Sequence, residues 1–285
     1  MEKICDLHTH SNYSDGTLSP EELVAAAQRA GLSAIALCDH NTVLGLPPFM
    51  AAGQRSTVET VPGIEFSTDY LDVELHILGL FIEQEHYSAI MDRTEQMHRR
   101  KEQSNIDLVE GLRRAGYALD YDQIKAGTPT GQVNRALIGA ELTRLGYTAS
   151  IKEAFATLLK PSHGFYHPPK RLDVFETICF IRSMGAVPVL AHPFLNLKTE
   201  EALRGFLGPA VDAGLQAMET RYPLFDENQT RTAVRLAREF GLLQSGGSDF
   251  HGTNKPDIRL GVGRGDLAVP NAYLEALRQK KGFCV

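Results

Sequence analysis

The sequence predicts an α/β fold, a parallel sheet or barrel, with a block of helices inserted into it. Three observations carry that expectation. Short apolar runs rich in β-branched residues alternate with helical patterns, as strands joined by crossover helices do. Between about 87 and 169 the alternation stops, and only helical patterns and a loop remain. Histidines and carboxylates recur at the ends of the apolar runs, the position that gathers side chains on one face of a barrel.

Candidate strands lie near Lys3–His8, Ala34–Cys38, Thr60–Phe66, Val73–Phe81, Ala186–Ala191, Gly214–Glu219 and Leu242–Gly246. The helix after the first strand starts at Ser19-Pro20-Glu21-Glu22. Serine at the N-cap, proline at the first helical position and glutamate at the third make a capping box. Gly31 marks the end of that helix. Further helices are expected at Asp173–Met184, Thr199–Asp212, Asn228–Phe240 and Pro270–Lys280. The interrupting stretch opens with one long polar helix from about His86 to Gly116, with Met91, Met97, Ile106, Leu108 and Leu112 among its apolar positions. Helices near Val133–Leu145 and Ile151–Leu159 follow, then a loop from Lys160 to Pro169. The expected plan is a barrel built from 1–86 and 170–285, with 87–169 as a helical insert that shapes the substrate site.

A chain of 285 residues can form one large domain with a smaller insert, and 43% hydrophobic with 22% charged residues excludes a long disordered chain. The net charge of -6 argues against a long polyanion as the main partner. Cations bound locally would still admit a short oligonucleotide. None of the cysteines Cys5, Cys38, Cys179 and Cys284 pair as C-x-x-C, and Cys5 and Cys38 read as buried free thiols in apolar strands. There is no disulfide framework, no signal pattern at Met1–Asp6 and no apolar run long enough to cross a membrane, so a cytoplasmic location is expected.

The chemistry lies in the histidines and acids. His8 and His10 form H-x-H at the end of the first strand, and a spacing of two points both rings to the same side of an extended chain. Asp15 follows in a Ser-Asp-Gly turn; Asp39-His40 ends the second strand and Glu65 the third. His76 lies in the fourth, His192 ends the fifth, and Asp249 with His251 forms D-x-H past the seventh. Singly, each has an ordinary reading as a turn residue or a satisfied polar group. Jointly, so many buried acids and imidazoles would be costly without a cation. Imidazole and carboxylate suit zinc, manganese or iron, and nine donors are enough for two or three ions, with Glu65 placed to bridge.

At this point the motifs His8-Thr9-His10-Ser11, Ser14-Asp15-Gly16, Cys38-Asp39-His40-Asn41-Thr42, Pro62-Gly63-Ile64-Glu65, Ala191-His192-Pro193 and Gly247-Ser248-Asp249-Phe250-His251 resemble, in order, those of the polymerase and histidinol phosphatase (PHP) family. The resemblance covers nearly the whole chain and is to stand-alone bacterial phosphoesterases with a helical insert. It implies a distorted (β/α)7 barrel with an inserted helical subdomain, and a trinuclear metal site. By matching motif, His8, His10, Glu65 and Asp249 would hold one ion, Glu65, His76 and His192 a second, and Asp15, His40 and His251 a third. Similar proteins carry Gly-Arg-x-His in the insert, probing substrate; here the stretch is Gly131-Gln132-Val133-Asn134-Arg135, without that Arg and His.

The expected activity is a metal-dependent phosphoesterase that hydrolyses a phosphomonoester of a small metabolite, a nucleotide such as an AMP-like or nucleoside bisphosphate molecule, with a hydroxide shared between ions as nucleophile. Alternatives are an exonuclease on short RNA or DNA, a histidinol-phosphate phosphatase, and a metal-binding regulator without turnover. His192, His251 and Asp249 are the catalytic candidates beyond metal holding, and Arg135, Arg221, Lys255, His163 and Tyr166 are candidates to bind substrate. The glycine-rich Gly261-Val262-Gly263-Arg264-Gly265 neither follows a clear strand nor opens a helix, so it does not read as a dinucleotide loop.

Overall fold

The computed structural model describes residues 3–128, 133–169 and 171–282. Within them the chain forms two compact units, residues 1–92 with 171–285 and residues 93–170. The long helix expected from His86 begins at Tyr87, and the division between units falls inside it at Arg93.

In the first unit the strands are β1 (Ile4–Thr9), β2 (Ala34–Leu37), β3 (Glu59–Tyr70), β4 (Val73–Leu80), β5 (Leu172–Asp173), β6 (Val187–Leu190), β7 (Ala217–Arg221), β8 (Leu243–Gly246) and β9 (Val269–Pro270). Its helices are α1 (Pro20–Arg29), α2 (Leu46–Gly53), the start of α3 (Tyr87–Arg114), α7 (Val174–Ser183), α8 (Glu200–Asp212), α9 (Glu227–Glu239) and α10 (Asn271–Arg278). The second unit holds the rest of α3 with α4 (Tyr121–Ala126), α5 (Arg135–Arg144) and α6 (Ile151–Ala156). The expected capping box is present: Ser19 Oγ accepts from Glu22 N at 3.2 Å, and Glu22 Oε2 accepts from Ser19 N at 2.8 Å. Helix α2 is not among the helices expected from the sequence; Pro47-Pro48 lie in its first turn, where amide hydrogens have no partner.

The strand order is β8-β7-β6-β4-β3-β2-β1-β9, with β5 beside β3. Past β8 the chain returns to β1, where Asp249 N donates to His8 O at 2.8 Å and His10 N to Phe250 O at 3.0 Å. The sheet is therefore a nearly closed barrel. It is not wholly parallel: β4 runs antiparallel to both β3 and β6. The cause is the connection. Only Leu71 and Asp72 separate β3 from β4, both at positive φ (50° and 64°), and so short a link can make only a hairpin.

Side chains alternate across the strands. Ile35 and Leu37 of β2, Ile64 and Phe66 of β3, and Ile77 of β4 pack with Leu23 of α1, Phe49 of α2, Ile178 of α7, Phe206 of α8 and Leu236 of α9. The opposite face carries Leu7, Ala36, Val61, Leu78, Leu80, Val187, Val189 and Ala217, with Leu274 and Leu277 of α10. The second unit has its own core of Leu108, Leu112, Ile124, Ile138, Leu142, Leu159 and Tyr166.

Candidate metal centre

The H-x-H motif reaches the centre through an irregularity. From Asp6 to Thr9, β1 advances three residues while its partner β2 advances two, from Ile35 to Leu37. Cys5 and Leu7 face the barrel interior, and past this slip His8 and His10 do as well, despite their opposite parity. Such bulges re-aim side chains next to active sites. Two further donors sit on unusual backbone: His192 has φ 28° and Asp249 φ 54°, a region that residues with a Cβ rarely enter. Gly247 shows how closely the strands meet here, since a Cβ on it would fall 2.4 Å from His8 Cβ.

Glu65 is the hub, fully buried inside β3; the strand does not end near it as expected but runs on to Tyr70, because its pairing with β4 continues from Gly63 to Tyr70. Its Oε2 lies 3.2 Å from each of His8 Nε2, His10 Nε2 and His40 Nδ1. Its Oε1 lies 2.8 Å from His76 Nδ1 and 3.0 Å from His192 Nε2. His8 Nε2 and His10 Nε2 face each other at 3.1 Å, and Asp249 Oδ1 is 3.2 Å from His10 Nε2. Asp15 Oδ1 stands 3.2 Å from His251 Nε2. Four groups of donors could each surround one ion: His10, Asp15, His40 and His251; His8, His10 and Asp249; His8, Glu65 and His192; His40, Glu65 and His76. All nine side chains named from the sequence as metal ligands stand in these groups, and His8, His10, His40 and Glu65 are shared between two each.

The donor set fits divalent cations better than it fits protons. Glu65 Oε2, His10 Nδ1 and His40 Nδ1 are buried and make no hydrogen bond, although Glu65 Oε2 has three imidazole nitrogens around it. Buried nitrogen and oxygen lone pairs gathered in this way, with no hydrogen-bond partner of their own, are what a cation requires. The charges agree. Burial alone would lower the pKa of His10 and His76, yet the carboxylates of Asp249 and Glu65 beside His10, and of Glu65 and Glu74 beside His76, raise them to about 9 and about 10. His40 goes the other way, pushed down to about 3 by burial, with His10 and His76 acting in the same sense. Burial works against ionisation of Glu65 and Asp249, and the surrounding imidazoles outweigh it and hold both well below the usual carboxylate range.

A cavity of about 260 Å³ opens on the centre, lined by His40, Glu65, Glu74, His76, His192, Leu195, Asn196, Asp249 and Lys255. Of the residues expected to bind substrate, Lys255 is on this wall, its Nζ 2.7 Å from Asp249 Oδ2. Arg221 ends β7 with its side chain exposed and is not among the residues lining the cavity. Arg135, His163 and Tyr166 belong to the second unit. There the Arg135 guanidinium covers the Tyr166 ring at 4.1 Å, Tyr166 is buried, and His163 is exposed. Of the segment compared with Gly-Arg-x-His, Gly131 and Gln132 lie outside the described residues, as does Cys284, while Asn134 caps α5.

The sequence reading missed several supporting groups. Glu74 Oε1 is 3.3 Å from His76 Nε2 and its Oε2 accepts from Arg171 at 2.8 Å. The E-x-H spacing in a strand could have revealed Glu74. Tyr222 donates its hydroxyl hydrogen to Asp249 Oδ2 at 2.7 Å, and Glu219 contacts both His8 and His192. Asp39, next to His40, turns away from the donors: its carboxylate accepts from Ser11 N, Ser11 Oγ and Ser14 Oγ at 2.6–2.7 Å and so fixes the loop that carries Asp15.

A family model described as the PHP domain matches residues 6–166. The chain is 31% identical to the 5'-3' exoribonuclease of Haemophilus influenzae, over 88% of this chain and 91% of that protein. It is 25% identical to the 3',5'-nucleoside bisphosphate phosphatase of Chromobacterium violaceum, over 86% of each. A solved structure from Bifidobacterium adolescentis, described as a candidate metal-dependent phosphoesterase, matches with a TM-score of 0.78 at 24% identity, covering 98% of this chain and 96% of that one. The protein is thus an enzyme, a hydrolase of phosphoesters. It belongs to the PHP domain family. Among the described residues no helix is long and apolar enough to cross a membrane.

Proposed function

We propose that the nine donors hold two or three divalent cations, and that the chain hydrolyses the phosphoester of the terminal nucleotide of a short, 5'-phosphorylated RNA. The observation that carries the metal reading is Glu65 Oε2, buried and without a hydrogen bond between three imidazole nitrogens. The substrate reading is supported by the likeness to an exoribonuclease across most of both chains. A cavity of about 260 Å³ suits one phosphorylated sugar unit and not a duplex.

Cations held by these residues supply water of lowered pKa and neutralise charge on phosphoryl oxygens. The protein's own residues do the rest. Lys255, on the cavity wall, is the ammonium group that meets a phosphoryl oxygen, shared with Asp249 Oδ2. Asn196, whose amide donates to the Glu74 backbone oxygen, keeps its own side-chain oxygen as an acceptor on the same wall. His192, His251 and Asp249 face other donors, so their part is to hold ions, and proton delivery to the leaving oxygen falls to solvent at the open side of the cavity.

A second reading is a phosphatase of single nucleotides, favoured by the small cavity and by the net charge of -6. One experiment separates them. Chelator-stripped protein is reloaded with manganese, iron or zinc and given a 5'-phosphorylated oligoribonucleotide a few residues long, or a 3',5'-nucleoside bisphosphate. Stepwise release of mononucleotides from the 5' end supports the first reading. Phosphate release from the bisphosphate with the oligonucleotide intact selects the second. Cation uptake with turnover of neither overturns both.

A further inference from the structure

We propose that Glu219 is a positioning residue of the metal centre, whose two carboxylate oxygens fix the tautomer of His8 and the backbone of His192 so that both rings offer Nε2 to a cation. The inference rests on the metal reading above. Glu219 lies on β7, a strand that supplies none of the nine donors, and it is fully buried.

Glu219 Oε1 is 3.1 Å from His8 Nδ1. With its other oxygen accepting from an amide, the carboxylate takes this contact as an acceptor too, which places the imidazole hydrogen on Nδ1. Nε2 of the neutral ring is then bare, and it is Nε2 that faces Glu65 Oε2 at 3.2 Å and His10 Nε2 at 3.1 Å. The other oxygen, Oε2, accepts from the backbone N of His192 at 2.6 Å. That amide belongs to the residue held at φ 28° and ψ 56°, whose own Nε2 reaches Glu65 Oε1 at 3.0 Å. One carboxylate thereby sets both histidines of the group His8, Glu65 and His192. A carboxylate behind a ligating histidine is a general device for fixing ring orientation and basicity.

Glutamine has the same shape but cannot replace it. Two donors converge on Glu219, and an amide has one acceptor oxygen. If that oxygen serves His192 N, the amide NH2 faces His8 Nδ1 and the ring hydrogen moves to Nε2, the atom meant for the ion. If the oxygen serves His8, the NH2 opposes the His192 N–H.

The test is titration of zinc alone into chelator-stripped protein, wild type against Glu219→Gln, read by calorimetry and by elemental analysis. Glu219→Gln is expected to keep wild-type affinity for an ion at His10, Asp15, His40 and His251, and to lose 10- to 100-fold at the ion beside His8 and His192. Unchanged affinity at every ion overturns the proposal, and so does equal weakening of all ions. A second measurement needs no variant. Imidazole nitrogen NMR of the zinc-loaded wild type, with His8 assigned by substitution, should show hydrogen on Nδ1; hydrogen on Nε2 overturns the proposal independently. Wild-type protein that takes up no zinc would instead refute the metal reading itself, a result these outcomes keep distinct.

Discussion

The barrel interior has two layers built from the same strands. In the lower layer β3, β4 and β7 contribute Val61, Leu78 and Ala217. A step of two or four residues along the same faces brings Glu65, His76 and Glu219. Both layers are filled by the same alternation, and both are buried or nearly so. They differ in what stabilises them. The lower layer gains by leaving water, roughly 25 cal/mol for each Å² of apolar surface. The upper layer loses hydration on burial and recovers it through mutual contacts and, on the proposed function, through the cations it would hold. The fold is thus held by one layer, and the candidate metal centre is a neighbour that the fold must carry.

This division can be broken from either side. The largest effect is expected in the polar layer: Asp249→Ala should lower phosphoesterase activity on the order of 1,000-fold, while far-ultraviolet dichroism of the chelated protein stays near wild type and unfolding remains cooperative. A collapse of the chelated fold would show that the layers are not separable. Next is the apolar layer. Leu78 is fully buried, so Leu78→Ala should cost about 2–5 kcal/mol in urea unfolding, with zinc affinity of the folded protein kept. Loss of zinc affinity at full stability would invert the assignment. Third, stripping the cations should lower stability by about 2.7 kcal/mol for each ion lost, relative to metal present at a hundred times its dissociation constant. The sign of the pH effect on uptake follows from the imidazoles. His10 and His76, held at about 9 and about 10, carry protons at pH 7 when no cation is bound, so uptake should release protons and tighten as pH rises toward that range. A pH-stat titration without proton release would contradict this.

Much of the polar layer is legible from the chain alone, because short motifs repeat one chemistry at seven separated places, and so are seven of the nine strands, because β-branched runs are local; the two-residue strands β5 and β9 are too short to leave such a run. What is not legible is relational. The slip in β1 that turns His8 and His10 inward depends on pairing with β2, which no local signal announces. The reversal of β4 depends on a turn, Leu71-Asp72, that lacks the glycine or asparagine usual at positive φ. Glu219 reads in sequence as one acid after an apolar run, and its meaning comes only from two histidines brought to it by other strands. The insert's Arg135 and Tyr166, which look like free binding groups in the sequence, are stacked on each other, because a half-exposed guanidinium gains by covering an aromatic ring.

The smallest expected effect sharpens the comparison within the polar layer. Tyr222 and Lys255 both donate to Asp249 Oδ2, each at 2.7 Å, whereas Glu219 has no substitute at His8 Nδ1. Tyr222→Phe removes one hydroxyl and leaves the ring against His192 at 5.4 Å and Phe225 at 5.3 Å, so packing is kept. Asp249 retains the ammonium group on the same oxygen, and only a buried hydrogen bond is lost, worth about 1 kcal/mol net. Zinc affinity should therefore fall less than about tenfold in calorimetry, below the loss expected for Glu219→Gln. If Tyr222→Phe weakens zinc as much as Asp249→Ala does, Lys255 is no reserve partner. Asp249 would then depend on the phenol as fully as His8 depends on Glu219.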